Sequence, residues 1–214
     1  MAERTKLSQG ELAYSRLYEA ISKGDFLPGD RLREAEIADH LNISRTPIRE
    51  ALRRLEADGI VEHRARIGAV IRQLGHGEVV ELYEMRAVLE RTAAQMAAKH
   101  ALQAETEEME ALNAEIEAAG TQPHRAAAIN QQFHRCLYLA TRNRFLLGST
   151  RALTNAMLLL GRTTLGDEDR VRIVCAQHAQ IIDAIRQGDV ERAGSAAEEH
   201  LKTSLRHRLM TMRT

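Results

Sequence analysis

The sequence predicts a mainly α protein in two parts, with a short β-ribbon in the first part. Helix-forming Ala, Leu, Glu and Arg are abundant, and aromatic residues make up only 3% of the 214 residues. Apolar residues also recur at helical spacing along most of the chain. A chain of this length can bury the cores of two domains. We place the boundary at the Gly75-His76-Gly77 hinge, which gives domains of residues 1–74 and 75–214.

Charge and cysteine content narrow the possible functions. The formal net charge is zero, but between residues 43 and 72 seven arginines stand against four acids, a local excess that favours nucleic-acid contact. Cys136 and Cys175 lie in helical apolar patterns and are too few for a disulfide framework, so we expect buried thiols in a reducing compartment. The chain shows neither a signal peptide nor a run of about eighteen apolar residues. We therefore expect a cytoplasmic protein that makes no membrane contact.

The first part is predicted to contain three helices. They cover residues 8–23, residues 34–41 and a third segment that stops at Asp58-Gly59. Asn42 supplies a residue that tolerates a left-handed backbone between the second and third helices. Helix, tight turn and helix in this order form a helix-turn-helix.

The third helix has two different faces. Its apolar face is formed by Ile48, Ala51, Leu52 and Leu55, at the spacing of one helical side. Its opposite face carries Arg45, Arg49 and Arg53, four residues apart. With Ser44 as its N-cap and Pro47 in its first turn, such a helix suits a DNA major groove. The alternative interpretation is a solvated arginine face on an ordinary helix.

Two short strands are predicted after this helix, over 60–63 and 69–72. Between them lies Arg64-Ala65-Arg66-Ile67-Gly68, a ribbon tip that carries two arginines. A β-ribbon directly after a helix-turn-helix is a winged helix. Its wing lies over a phosphate backbone or enters the minor groove.

Several motifs in this part occur in the order and spacing of one known family. They are Phe26-Leu27-Pro28-Gly29, Leu32-Arg33-Glu34, Ser44-Arg45-Thr46-Pro47-Ile48-Arg49-Glu50-Ala51-Leu52 and Leu55-Glu56-Ala57-Asp58-Gly59. Over about residues 8–72 the sequence resembles the winged-helix module of GntR-type bacterial transcription regulators. The resemblance implies operator contacts by Arg33, Arg45 and Arg49, with Ser44 and Thr46 at the helix amino end and Gly68 in the wing.

The wing differs from the family pattern at one position. Ile67 stands immediately before the wing glycine, where that family often has a basic residue, and Arg66 stands one place earlier. We take Arg66 as the candidate wing contact and Arg53 as a further contact from the arginine row.

The second part is predicted to be an antiparallel bundle of six helices joined by short connections. The predicted helices cover residues 77–99, 104–119, 123–141, 144–161, 168–187 and 189–212.

Histidines on three of these helices are predicted to face one another. His178 lies ten residues before Gly188 and His200 lies eleven after Asp189, so both are about 15–16 Å from the same hairpin turn. Asn130 and His134 are i, i+4 neighbours on the third helix of the bundle. Three imidazoles and one amide oxygen converging on one point would suit a divalent cation. The alternative is that each is a separately hydrogen-bonded core histidine.

The second part also resembles a known domain. Asn130-Gln131-Gln132-Phe133-His134, then His178, Gly188-Asp189 and His200 are similar to the six-helix FCD ligand-binding domain of the FadR branch of GntR regulators, over about residues 76–212. The resemblance implies a divalent metal, Zn, Ni or Mn, with a small carboxylate effector bound over it. Asn130 stands where that family usually has Asp, which lowers the expected metal affinity. Arg86 matches a family arginine that pairs with an effector carboxylate; the alternative is a surface arginine paired with Glu90.

These features predict a dimeric regulator that binds double-stranded operator DNA as a repressor and responds to a small carboxylate bound over the metal. Two alternatives are a metal sensor and a metal-free acyl-ligand regulator. A metallohydrolase is disfavoured because no H-E-x-x-H motif supplies a general base and because the first domain would have no role. We therefore expect no enzyme activity.

Overall fold

The computed structural model describes residues 8–120 and 122–212. These residues form nine α-helices and one two-stranded sheet, which confirms the mainly α fold class. They divide into two compact units. One ends at Leu74 and also contains Thr154–Arg162, and the other comprises Gly75–Leu153 and the residues from Thr163 onward. The sequence analysis placed the domain boundary between residues 74 and 75. It did not predict that residues 154–162 belong to the first unit.

The first unit is built on three helices, α1 (Gln9–Lys23), α2 (Glu34–Leu41) and α3 (Arg45–Ala57). Gly24 ends α1 with φ of 85°, and Asn42 ends α2 with φ of 52°, both in the left-handed region that these residues tolerate. The core contains Leu17 of α1, Ile37 of α2 and Leu55 of α3, each 0% exposed. The tight turn at Asn42 therefore sets the direction of α3 relative to α2, with both helices packed in this core.

The wing follows α3 as an antiparallel ribbon of β1 (Val61–Arg64) and β2 (Gly68–Ile71). Its register pairs Val61 with Ile71 and Arg64 with Gly68. Arg31 forms an isolated bridge to β2, so the extended piece before α2 anchors the ribbon.

The second unit is the helical bundle. Its helices are α4 (His76–His100), α5 (Gln103–Ala118), α6 (Pro123–Ala140), α7 (Arg144–Met157), α8 (Glu168–Arg186) and α9 (Val190–Thr211). The seventh helix ends earlier than the sequence predicts, because Leu158–Leu160 tighten into a 3₁₀ turn before Gly161, whose φ is 68°. Its last residues, from Thr154, belong to the first unit.

The bundle core is apolar around a small set of buried polar side chains. Phe133, Leu137 and Ile181 are at most 1% exposed. Cys136 and Cys175 are buried free thiols, and burial raises the pKa of each to about 11. Among the described residues, no helix combines the length and the apolarity needed to cross a bilayer.

Candidate metal centre and DNA-binding face

The amino end of α3 presents the predicted DNA-contacting side chains to solvent. Ser44, Arg45 and Thr46 are exposed, whereas Pro47 and Ile48 are buried against the core. Ser44 has the extended backbone of an N-cap, but its hydroxyl makes no capping hydrogen bond. The reason is local: Pro47 occupies the third helical position, where an N–H would normally be the donor. The hydroxyl therefore remains at the surface.

The other arginines predicted to contact DNA are also exposed, and two of them, Arg33 and Arg49, form ion pairs with glutamates. Arg49 donates two hydrogen bonds of 2.8 Å to Glu34, and Arg33 donates one of 2.6 Å to Glu36. Glu34 lies in the first turn of α2, so its pair with Arg49 joins the two helices of the helix-turn-helix. Arg53 is also exposed, two turns after Arg45. Three exposed arginines on one helix form a basic strip suited to a phosphate backbone.

The tip of the wing is shaped by two left-handed residues. Arg66 has φ of 66° and Gly68 has φ of 96°. Glycine adopts this conformation without strain, whereas arginine adopts it at a cost. Arg66 is exposed at the tip. A contact of Arg66 with the DNA phosphate backbone stays a prediction, as do the DNA contacts predicted for α3.

In the second unit, the structure brings His134 of α6, His178 of α8 and His200 of α9 together. One ring nitrogen from each lies within 4.8 Å of the others, and all three side chains are buried. Ring centroids are 5.5 Å apart for His134 and His178, and 4.7 Å apart for His178 and His200. Phe133 stacks on His178 at 3.7 Å and fixes its plane. His178 and His200 therefore lie side by side, as their equal distances from the α8–α9 turn predict, and His134 joins them.

An oxygen atom lies beside Nδ1 of each histidine. The Asn113 amide oxygen is 3.2 Å from His178 Nδ1, and the Gln177 amide oxygen is 3.1 Å from His200 Nδ1. His134 Nδ1 is 2.8 Å from a Glu90 oxygen, a contact of ion-pair length in which the ring N–H is not aligned as a hydrogen bond. These oxygens favour a proton on Nδ1, which leaves Nε2 as the lone-pair atom.

Several buried polar atoms of α6 and α8 have no hydrogen-bond partner among the described residues. Nε2 of His134, Nε2 of His178 and Oδ1 of Asn130 are buried and make no hydrogen bond to any described residue. Asn130 precedes His134 by one turn of α6, as predicted from the i, i+4 spacing. Buried polar atoms without partners are costly unless a ligand satisfies them. The donor set of three imidazoles and an amide oxygen is one that a divalent cation accepts.

Electrostatics keep two of the imidazoles neutral. Burial lowers the pKa of His178 well below its usual range, and the nearby histidines and Arg170 lower it further. Burial and the nearby His134 also lower the pKa of His200 well below its usual range, although the Glu90 carboxylate opposes part of this lowering. A neutral imidazole is the form that ligates a metal.

Arg86, the predicted effector contact, is buried rather than on the surface. Its guanidinium donates a 2.8 Å hydrogen bond to Glu90, which also accepts one of 2.9 Å from Tyr138. Burial alone would raise the pKa of Glu90, but His134 and Arg86 lower it overall, so the carboxylate is ionised. The pairing of Arg86 with Glu90, which the sequence analysis gave as the alternative to an effector contact, is present and is buried.

Three polar residues around the histidines were not predicted. Asn113 could have been found, because it lies at i+4 from buried Met109 and i−3 from buried Ile116 and so falls on the inner side of α5. Helical periodicity did not identify Gln177, because it stands next to inward-facing His178 and adjacent residues lie on different sides of a helix. Glu90 was considered only as a partner of Arg86.

Known families match both units. The family model of bacterial regulatory proteins of the gntR family matches residues 9–71, and the FCD domain model matches residues 81–203. A probable D-xylose utilization operon transcriptional repressor of Paenarthrobacter nicotinovorans is 33% identical over 189 residues, which cover 86% of this chain and 82% of that protein. The uncharacterized HTH-type transcriptional regulator YdhC of Bacillus subtilis is 29% identical over 197 residues, which cover 91% and 86%.

A solved structure has the same fold. E. coli McbR/YncC matches with a TM-score of 0.84 over 97% of this chain and 100% of that chain, at 19% identity. The matching family model of the first unit and the named relatives are those of DNA-binding transcription regulators rather than enzymes. This chain belongs to the GntR family and carries an FCD domain.

Proposed function

We propose that this regulator is a homodimeric repressor whose operator affinity is controlled by a small carboxylate bound over a divalent metal in the FCD domain. The observation that carries the proposal is the cluster of His134, His178 and His200, in which Nε2 of His134 and Nε2 of His178 are buried without a partner among the described residues. Asn130, one turn before His134, also has a buried oxygen without a partner. These four residues would hold the ion. A divalent ion there would supply positive charge and open coordination positions for a carboxylate.

The donor set bears on which metal is held. Three imidazoles suit Zn or Ni better than Mn, which prefers oxygen ligands. With Asn130 in place of an aspartate, the four ligands are all neutral, so the site keeps the full charge of the ion. A bound carboxylate would offset that charge, which couples effector binding to metal binding.

The DNA-binding half of the proposal rests on the exposed residues of α3 and the wing. Two copies would present two such faces to a pseudo-palindromic operator, because a single module buries too little surface for tight specificity. Repression is proposed by analogy with the Paenarthrobacter relative, which is named as a probable repressor. We propose the cytoplasm as its location, since its target is double-stranded DNA.

The test is operator binding by the full-length protein in two states, chelator-treated and reloaded with Zn or Ni. An operator selected from a random DNA library is titrated with each state, with and without a panel of small carboxylic acids. We expect at least one acid to change operator affinity about five-fold or more in the loaded state and not in the chelated state. A change caused by metal alone would indicate a metal sensor instead. A change that persists in the chelated protein would indicate a metal-free acyl-ligand regulator.

A further inference from the structure

Arg170 is a buried guanidinium that forms no ion pair with an acid among the described residues. It lies in the first turn of α8 and is 2% exposed. Its Nη2 donates a 2.8 Å hydrogen bond to the Ser204 hydroxyl, but its Nε and Nη1 have no hydrogen-bond partner among the described residues. A buried guanidinium in this condition is destabilising unless an anion binds to it.

The acids near Arg170 are engaged elsewhere. Asp167 precedes it in the chain, but one oxygen of its carboxylate caps α8 by accepting the backbone N–H groups of Asp169 and Arg170. Glu90 is the only buried acid among the described residues, and it already contacts Arg86, Tyr138 and His134. Arg86 therefore has a buried acid as its hydrogen-bond partner, whereas the acid that acts on Arg170 is the exposed Asp167, which partly opposes the lowering of the Arg170 pKa by burial.

The position of Arg170 relates it to the three histidines. Its hydrogen-bond partner Ser204 follows His200 by one turn of α9, which is a rise of about 5.4 Å. The positive charge of Arg170 contributes, after burial and the neighbouring histidines, to the lowered pKa of His178. The guanidinium is thus bonded to a residue one helical turn from His200 and is close enough to His178 to affect its pKa.

We propose that Arg170 and Ser204 form a second anion-binding position of the effector site, so that the preferred effector is a dicarboxylate. One carboxylate would bind over the metal and the other would accept a hydrogen bond from Nε or from Nη1 of Arg170, the donors that have no partner among the described residues. The two acid groups would be separated by about one helical turn. This inference rests on the function proposed above and specifies the chemical class of its ligand.

The experiment is calorimetric titration of the full-length, metal-loaded protein with matched acids. Succinate, glutarate and adipate are compared with butyrate, pentanoate and hexanoate. We expect at least one diacid to bind about ten-fold or more tightly than the monoacid of equal length, the gain typical of a charge-assisted hydrogen bond. In Arg170→Met this preference should disappear while monoacid binding is kept.

Control variants separate binding from folding. Arg172→Gln alters a neighbouring arginine of α8 that is 70% exposed and paired with Asp169, and it should keep the diacid preference. Because Arg170 is an unpaired buried charge in the free protein, Arg170→Met should also raise the melting temperature of the ligand-free protein. A purely structural arginine would give a lower melting temperature on the same change. If Arg170→Met does not fold, Arg170→Lys should still reduce the preference, because one ammonium cannot keep the hydrogen bond to Ser204 and also place a donor where the guanidinium has Nε or Nη1.

The outcomes also separate this inference from the proposed function. Equal binding of diacids and monoacids by the metal-loaded protein would overturn the proposed role of Arg170. If that binding still required the metal, the proposed binding of a carboxylate over the metal would remain supported. Retention of the diacid preference in Arg170→Met would overturn it likewise. Failure of every acid to bind the loaded protein would overturn the proposed function and this inference with it.

Discussion

The amide oxygen of Asn113 on α5 lies 3.2 Å from Nδ1 of His178 on α8. Asn113 also donates a 2.9 Å hydrogen bond to the backbone carbonyl of Cys175, so its orientation is fixed by α8 itself. An amide oxygen at this distance holds the proton on Nδ1 and leaves Nε2 for a metal. Asn113 is thus a positioning residue for the candidate metal centre.

Asn113→Ala is expected to weaken metal binding about 10- to 100-fold, the usual effect of losing an oxygen that orients a ligating histidine. The measurement is competition for Zn against a chelating dye, with helix content followed by circular dichroism. Gln103→Ala, at an exposed site of the same helix, is the matched control. Equal Zn affinity in Asn113→Ala and the wild type, with both folded, would contradict the role.

Stability of the chelator-treated protein should fall as the pH is lowered from 7.5 to 5.5. His178 and His200 have pKa values well below 6.5 when folded, so below pH 6.5 the unfolded chain takes up protons that the folded chain does not. Each such proton costs about 1.4 kcal/mol of folding free energy per pH unit until the folded group also titrates. Thermal denaturation at stepped pH measures this loss. His178→Gln should give a shallower dependence, and His63→Gln, on the exposed side of the wing, should leave it unchanged.

Arg45→Ala is expected to weaken operator binding by about 1–3 kcal/mol without changing the melting temperature. The side chain is exposed at the amino end of α3, so truncation should remove the predicted DNA contact without disturbing core packing. Fluorescence anisotropy at several salt concentrations measures the effect. Lys23→Ala is the control, because that lysine is exposed at the end of α1 and paired with Glu19. Loss of affinity equal in the two variants would mean that only overall charge matters.

The wing prediction concerns Arg66, which has φ of 66°. Arg66→Asn removes the charge but keeps a residue that tolerates the left-handed conformation, so folding should be unaffected. Binding to operator and to non-specific DNA should weaken together, and the salt dependence should decrease by about one counterion. An unchanged salt dependence would show that Arg66 makes no phosphate contact.

Most of the fold follows from local signals in the sequence. Gly24 and Asn42 end their helices in the left-handed conformation because few other residues adopt it at low cost. The end of α7 was not predictable in this way, since Leu158–Leu160 fit a helical pattern equally well. Their 3₁₀ turn packs with the first unit, and this tertiary contact has no signature in the local sequence.

The candidate site was predictable as far as helical periodicity reaches. His178 and His200 were identified because they lie on inner faces at equal distances from one hairpin turn. The surrounding oxygens depend instead on pairings between helices far apart in sequence, such as Asn113 with His178. Arg170 was missed although it lies four residues before buried Val174 and eight before His178 on the inward side of α8. Its hydrogen-bond partner Ser204 is on another helix and has no signature in the sequence around Arg170.

Native mass spectrometry of the intact, metal-loaded protein tests the central claim most directly, because it reports copies of the chain and bound ions together. We predict a dimer that carries one divalent ion per chain, and loss of that ion in His178→Ala with the dimer intact. A protein that retains no ion after loading with Zn or Ni, or that retains it equally in His178→Ala, would contradict the claim that His134, His178 and His200 form a metal centre.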